Sequence, residues 1–89
     1  EGLKFSKQAY IISGHYREIA EAIMEQMGRG VTSLEARGMY SDQEKKMLFC
    51  VVSKKEIVRL KEIVAEFDSG AFVIVSDARE VFGEGFIEY

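Results

Sequence analysis

Residues 46–67 run without a break from a strand signal into a helix signal, and this junction constrains the fold more than any other part of the chain. Residues 46–52 (KMLFCVV) form the most continuous apolar run. Ser53-Lys54-Lys55-Glu56 follows at once and matches a capping box, in which the serine and the glutamate each satisfy the other's free backbone N–H. Beyond it, Ile57, Leu60, Ile63, Val64 and Phe67 share one helical face. The apolar run suits a central strand buried on both faces or nearly so. A strand that passes directly into a capped amphipathic helix calls for an architecture of strand–helix units.

A second such unit lies upstream. Residues 8–13 (QAYIIS) read as a strand, and residues 15–27 as a helix with Tyr16, Ile19, Ala20, Ile23, Met24 and Met27 on its apolar face. Ser13 is the expected N-cap, and Gly28 occupies the position where helices end in the left-handed conformation. Residues 31–39 read as a strand with weak alternation, Val31, Ser33 and Glu35 on one face and Thr32, Leu34 and Ala36 on the other. Turn-forming residues 40–44 join it to the apolar run as a hairpin with a long, charged tip. Asp68-Ser69-Gly70 ends the second helix, and residues 71–76 (AFVIVS) make a fourth strand. The order βαββαβ predicts an α+β, ferredoxin-like fold: a four-stranded antiparallel sheet with two helices on one face and right-handed crossovers. Residues 1–89 form one such domain, with 78–89 as a C-terminal tail.

At 89 residues, 47% of them apolar, the chain supports one hydrophobic core and modest stability. A net charge of −3 gives no drive toward a phosphate backbone. The apolar run also lacks the aromatic pair and glycine of an RNA-recognition strand, so no nucleic-acid partner is expected. Cys50 is the single cysteine and His15 the single histidine, which leaves no metal cluster, and neither catalytic residues nor a cofactor are expected.

The predicted topology gathers distant segments. The Gly28-Arg29-Gly30 turn, the Ser53 helix start and the segment Asp77-Ala78-Arg79-Glu80 fall at one end of the sheet, and the hairpin tip at the other. Glycines, a helix N-terminus and two arginines together suit a small anion, a metabolite or a nucleotide. Gly28, Arg29, Gly30, Ser53, Asp77 and Arg79 are therefore the candidate ligand-binding residues. Each has a plainer reading as well: Gly28 caps a helix, Ser53 belongs to a capping box, and Asp77 and Arg79 can pair with each other. The tail carries large apolar residues past the last strand, and Val81, Phe82, Phe86 and Ile87 are candidates for an interface between copies of the chain, a homo-oligomer.

The segments MGRGVTSLEARGMYS, KKMLFCVVSKKEIVRLKEIV and SDAREVFGEGF resemble the soluble C-terminal domain of YitT-family bacterial membrane proteins, with Gly28-Arg29-Gly30-Val31-Thr32, Gly38, Tyr40 and residues 77–86 the most specific parts. The resemblance implies a domain on the cytoplasmic side of the cell membrane, cut from a longer multi-pass protein whose membrane portion is its attached partner. It implies a regulatory or ligand-sensing role. The alternative is a structural domain that only holds copies together.

Overall fold

The computed structural model describes residues 6–79 and residue 81. Its elements are β1 (Ser6–Ile12), α1 (Tyr16–Met27), β2 (Thr32–Arg37), β3 (Glu44–Ser53), a single 3₁₀ turn (Lys54–Glu56), α2 (Ile57–Phe67) and β4 (Phe72–Ala78). The sheet order is β2-β3-β1-β4 with every neighbouring pair antiparallel. The expected ferredoxin-like fold is therefore what the chain adopts.

Register decides which residues meet. Ala9 lies between Cys50 and Val75, and Ile11 between Leu48 and Val73. On this side Ala9, Ile11, Leu48, Cys50 and Val52 are buried beneath Ile19, Ala22 and Ile23 of α1 and Leu60, Ile63 and Val64 of α2. Both helices thus cover one face of the sheet. The apolar run of β3 is buried on that face alone, because Met47, Phe49 and Val51 alternate onto the opposite face, where they are only half-buried. The expectation of burial on both faces is corrected here: no described element covers the second face.

Local chemistry explains the element ends, with two departures from expectation. The N-cap of α1 is His15, without a side-chain cap bond. Ser13 sits one step too early to cap; its Oγ accepts from the His15 N–H at 2.9 Å and donates to Asp68 at 2.6 Å, tying the start of α1 to the end of α2. Met24 turns outward at 46% exposure, and Ala22 takes its expected place in the core. Gly28 does end α1 in the left-handed conformation, with φ 66° and its N–H bonded to the Met24 carbonyl. A residue with a β-carbon resists that backbone, so Gly28→Ala is expected to lower the unfolding free energy by about 1 kcal/mol, readable as a lower urea midpoint at unchanged slope.

Burial also decides the chemistry of Cys50. It is 2% exposed, and burial pushes its thiol up to about 11. The thiolate is the reactive form. In native buffer Cys50 is expected to resist alkylation at pH 8, and to label fully in denaturant.

Candidate functional site

The antiparallel register brings the expected segments to one end of the sheet. Ser6 pairs with Ser53 on one side and with Ala78 on the other, and the start of β2 lies on the same edge. Gly28-Arg29-Gly30, Ser53 and Asp77 are thus gathered as the topology predicted. Their polar groups are engaged with one another or with neighbours.

Glu56 is the hub of this end. Its Oε1 accepts the Ser53 N–H at 2.7 Å, completing the expected capping box. The same carboxylate receives the Arg29 Nε at 3.1 and 3.3 Å, and both side chains are largely buried, at 20% and 28% exposure. Burial pushes the Glu56 carboxyl up, but the Ser53 N–H, the Arg29 guanidinium and the Ser53 hydroxyl together outweigh it and hold it below the usual range. The link joins the turn after α1 to the start of α2. The capping-box spacing pairs Glu56 with Ser53, while a separation of 27 residues hides its partnership with Arg29.

Asp77 pairs with Lys7 across β1 and β4 at 2.5 Å, in place of the expected pairing with Arg79. Lys7 holds the Asp77 carboxyl below its ordinary value. The fourth strand runs further than expected: Asp77 belongs to β4 rather than to the segment after it, Ala78 belongs to β4 rather than to the tail, and Arg79 stands just beyond it. Arg79 makes no ion pair among the described residues. Of the four tail residues expected at an interface, Val81 is half-buried, and Phe82, Phe86 and Ile87 lie outside the described residues.

The opposite end holds a cleft that the sequence reading did not anticipate. It has a volume of about 490 Å³ and lies between the start of α1, the root of the β2–β3 hairpin and the turn before β4. Ile12, Tyr16 and Phe72 give it apolar walls, and Ser13, Lys45 and Asp68 line it as well. Most of its charges are already answered. Asp68 accepts from Ser13 Oγ and, at 3.0 Å, from the Gly70 N–H, which together hold its carboxyl below the ordinary value. Lys46 bonds Glu35, and Glu44 meets Arg37 at 3.5 Å. Lys45 has no ion-pair partner among the described residues. No single motif marks this cleft in the sequence, because its walls come from three connections that only the register brings together.

The hairpin root is itself well braced. The Gly38 N–H bonds the Gln43 carbonyl at 2.9 Å, the Asp42 N–H bonds the Gly38 carbonyl at 2.6 Å, and Arg37 Nη1 donates to the Asp42 carbonyl at 3.0 Å. A β-carbon on Gly38 would lie 2.8 Å from Ser41 Oγ and 3.2 Å from Lys45 Cε, so both side chains would have to move aside to admit one. No group of three or more metal-ligating side chains is found among the described residues. No helix among them is long and apolar enough to cross a membrane.

Comparison with known proteins places these features in a family. The chain is 47% identical over 88 residues to the UPF0750 membrane protein YxkD of Bacillus subtilis, covering 99% of this chain and 32% of that protein. It is 35% identical over 75 residues to the UPF0750 membrane protein YitT of the same organism, covering 84% of this chain and 27% of that one. The chain therefore spans about a third of the length of these two relatives. Among solved structures, a DUF2179 protein from Eubacterium ventriosum superposes with a TM-score of 0.71 at 34% identity, over 80% of this chain and 97% of that one. Two PII-type structures share the fold at lower identity. They are Arabidopsis thaliana PII bound to citrate (TM-score 0.74, 22% identity, 91% and 83% covered) and CPII from Thiomonas intermedia K12 bound to ADP, AMP and acetate (TM-score 0.65, 20% identity, 88% and 89% covered). Residues 29–83 match the family described as an uncharacterized protein conserved in bacteria, DUF2179, and the chain belongs to that family.

Proposed function

We propose that this chain is a non-catalytic regulatory domain on the cytoplasmic side of a multi-pass membrane protein, that it takes a small anionic ligand, and that copies of it associate. The observation that carries the ligand is the cleft at the hairpin end: about 490 Å³, within the range of small-molecule sites, with apolar walls and with Lys45 unpaired among the described residues. That mixture suits a ligand with a ring or short carbon skeleton and a phosphate or carboxylate. The ADP, AMP, acetate and citrate bound by the PII-type relatives in fold are of this kind. The relatives' description as membrane proteins supports the attached membrane portion. Cys50 is buried, and the ion-pair partner of His15 among the described residues is Glu18, at 3.8 Å, which favours binding over catalysis.

The Arg29 end remains the competing place for the anion. There an incoming ligand must take Arg29 from Glu56 or rely on Arg79, whereas the cleft requires no such exchange. A thermal-shift titration with ADP, AMP and citrate separates the possibilities, since a ligand that binds only the folded chain raises its melting temperature. A shift lost in Lys45→Ala and kept in Arg29→Ala places the ligand in the cleft; the reverse places it beside Arg29 and Arg79. Silence with all three removes the ligand and favours a structural domain that only joins copies, a reading for which the uncovered sheet face speaks.

A further inference from the structure

The face of the sheet away from the helices carries two rows of mostly apolar side chains. One row runs Thr32, Phe49, Tyr10, Ile74 and the next Leu34, Met47, Ile12, Phe72, each residue opposite its neighbour in the register. Tyr10 and Phe49 are in ring contact at 5.0 Å. Phe72 is 71% exposed and Ile74 51%. Both stand on β4, whose outer edge pairs with no described strand. An uncapped edge strand beside exposed large apolar side chains is an arrangement that stable proteins ordinarily cover.

We infer that this face is covered by a second copy of the chain, packed sheet against sheet. The inference rests on the association part of the proposed function and is tested without ligand, because Ile12 and Phe72 also wall the cleft. Two arguments choose the occupant. The first is charge. Neither row holds an ionisable side chain apart from the Tyr10 phenol, while the charged residues of the outer strand β2, Glu35 and Arg37, project to the helix side. The one charge on this face, Lys45, stands beyond the two rows opposite Ala36; the rows themselves offer nothing to lipid headgroups or to a polyelectrolyte, and an apolar patch is complementary to itself, as an interface between identical subunits must be. The second is size. Four strands at a spacing of about 4.8 Å, over six residues rising about 3.3 Å each, give a flat area of roughly 400 Å². This is about half of the ~800 Å² each partner contributes to a standard interface, and the exposed Leu34, Phe72 and Ile74 side chains standing out of the sheet add to it.

Analytical ultracentrifugation of the whole, ligand-free chain tests the inference. The expected mass is at least twice the 10.1 kDa of one chain. Ile74→Asp and Phe72→Ser, both at exposed positions that leave the core intact, are expected to reduce it at least two-fold to that of one chain. Val58→Asp, an equally exposed apolar position on α2, is expected to leave it unchanged. A circular dichroism spectrum confirms that each variant is folded, and either face variant alone suffices. A wild-type chain that sediments as a monomer overturns the inference, as do folded face variants of undiminished mass. A monomer that associates only after removal of residues 82–89 shows that the chain's own tail occupies the face. A silent ligand titration leaves the mass measurement untouched, so the two proposals fail separately.

Discussion

Leu60→Ala is expected to lower the unfolding free energy by about 2–5 kcal/mol, the range found when a buried leucine is truncated and the cavity only partly collapses. Leu60 is 0% exposed and belongs to the cluster that joins α2 to α1 and to the central strands. The size of the effect follows from the size of the domain. A chain of 89 residues has one core and a total stability of about 5–15 kcal/mol, so a loss in this range removes roughly a seventh of it at the least and all of it at the most. Because α2 buries only Leu60, Ile63 and Val64 completely, no other residue of the helix can take up the lost contact. The urea midpoint is therefore expected to fall further than for any surface variant, with the slope unchanged. Val58→Ala is the matching control: Val58 is 64% exposed on the outer side of the same helix, and its truncation is expected to move the midpoint little. Equal losses from the two substitutions would show that α2 packs on the sheet by another face.

The contrast between Leu60 and Val58 also shows where the sequence was readable. In α2 the capping box and the repeat of Ile57, Leu60, Ile63 and Val64 agree, and the structure follows both, while Phe67 at the end of the same expected face is 37% exposed. The end of the sheet where Gly28, Ser53 and Asp77 gather was legible because antiparallel topology alone determines which connections share an end. Strand β2 was harder for a physical reason. Its apolar Leu34 faces the uncovered side of the sheet, and Ser33, Glu35 and Arg37 face the helix side at an outer position where no helix covers them. The usual pairing of apolar with helix-facing is thus inverted, and alternation gave no clear phase. The same uncovered face explains the error at β3, where an unbroken apolar run signalled two-sided burial within one chain. Side-chain partners were the least legible. Nothing in the local sequence distinguishes a pairing of Arg29 with Glu56, or of Asp77 with Lys7, from a pairing with other charged neighbours.

Glu56 is where those hidden partnerships matter most. Glu56→Ala removes the acceptor for the Ser53 N–H and leaves Arg29, 20% exposed, without its carboxylate. Loss of a helix cap and of a partly buried charged hydrogen bond together are expected to cost about 2 kcal/mol. Arg29→Ala keeps the cap and is expected to cost less. The charge itself is tested by pH. The carboxyl is held below its ordinary value of 4.5 in the folded chain, so the unfolded chain binds the proton more readily. The stabilisation is fully present above that ordinary value and is lost as pH falls through the lower folded value; Asp68 and Asp77, also lowered, add losses of the same sign. The melting temperature is thus expected to drop on acidification. Glu56→Gln keeps an oxygen for the Ser53 N–H but carries no charge for Arg29. Its deficit relative to the wild type is expected to be constant above pH 6 and to shrink as the wild-type carboxyl protonates. A deficit that stays the same down to pH 3 would mean that the ion pair contributes nothing and that Glu56 acts on the fold through the cap alone.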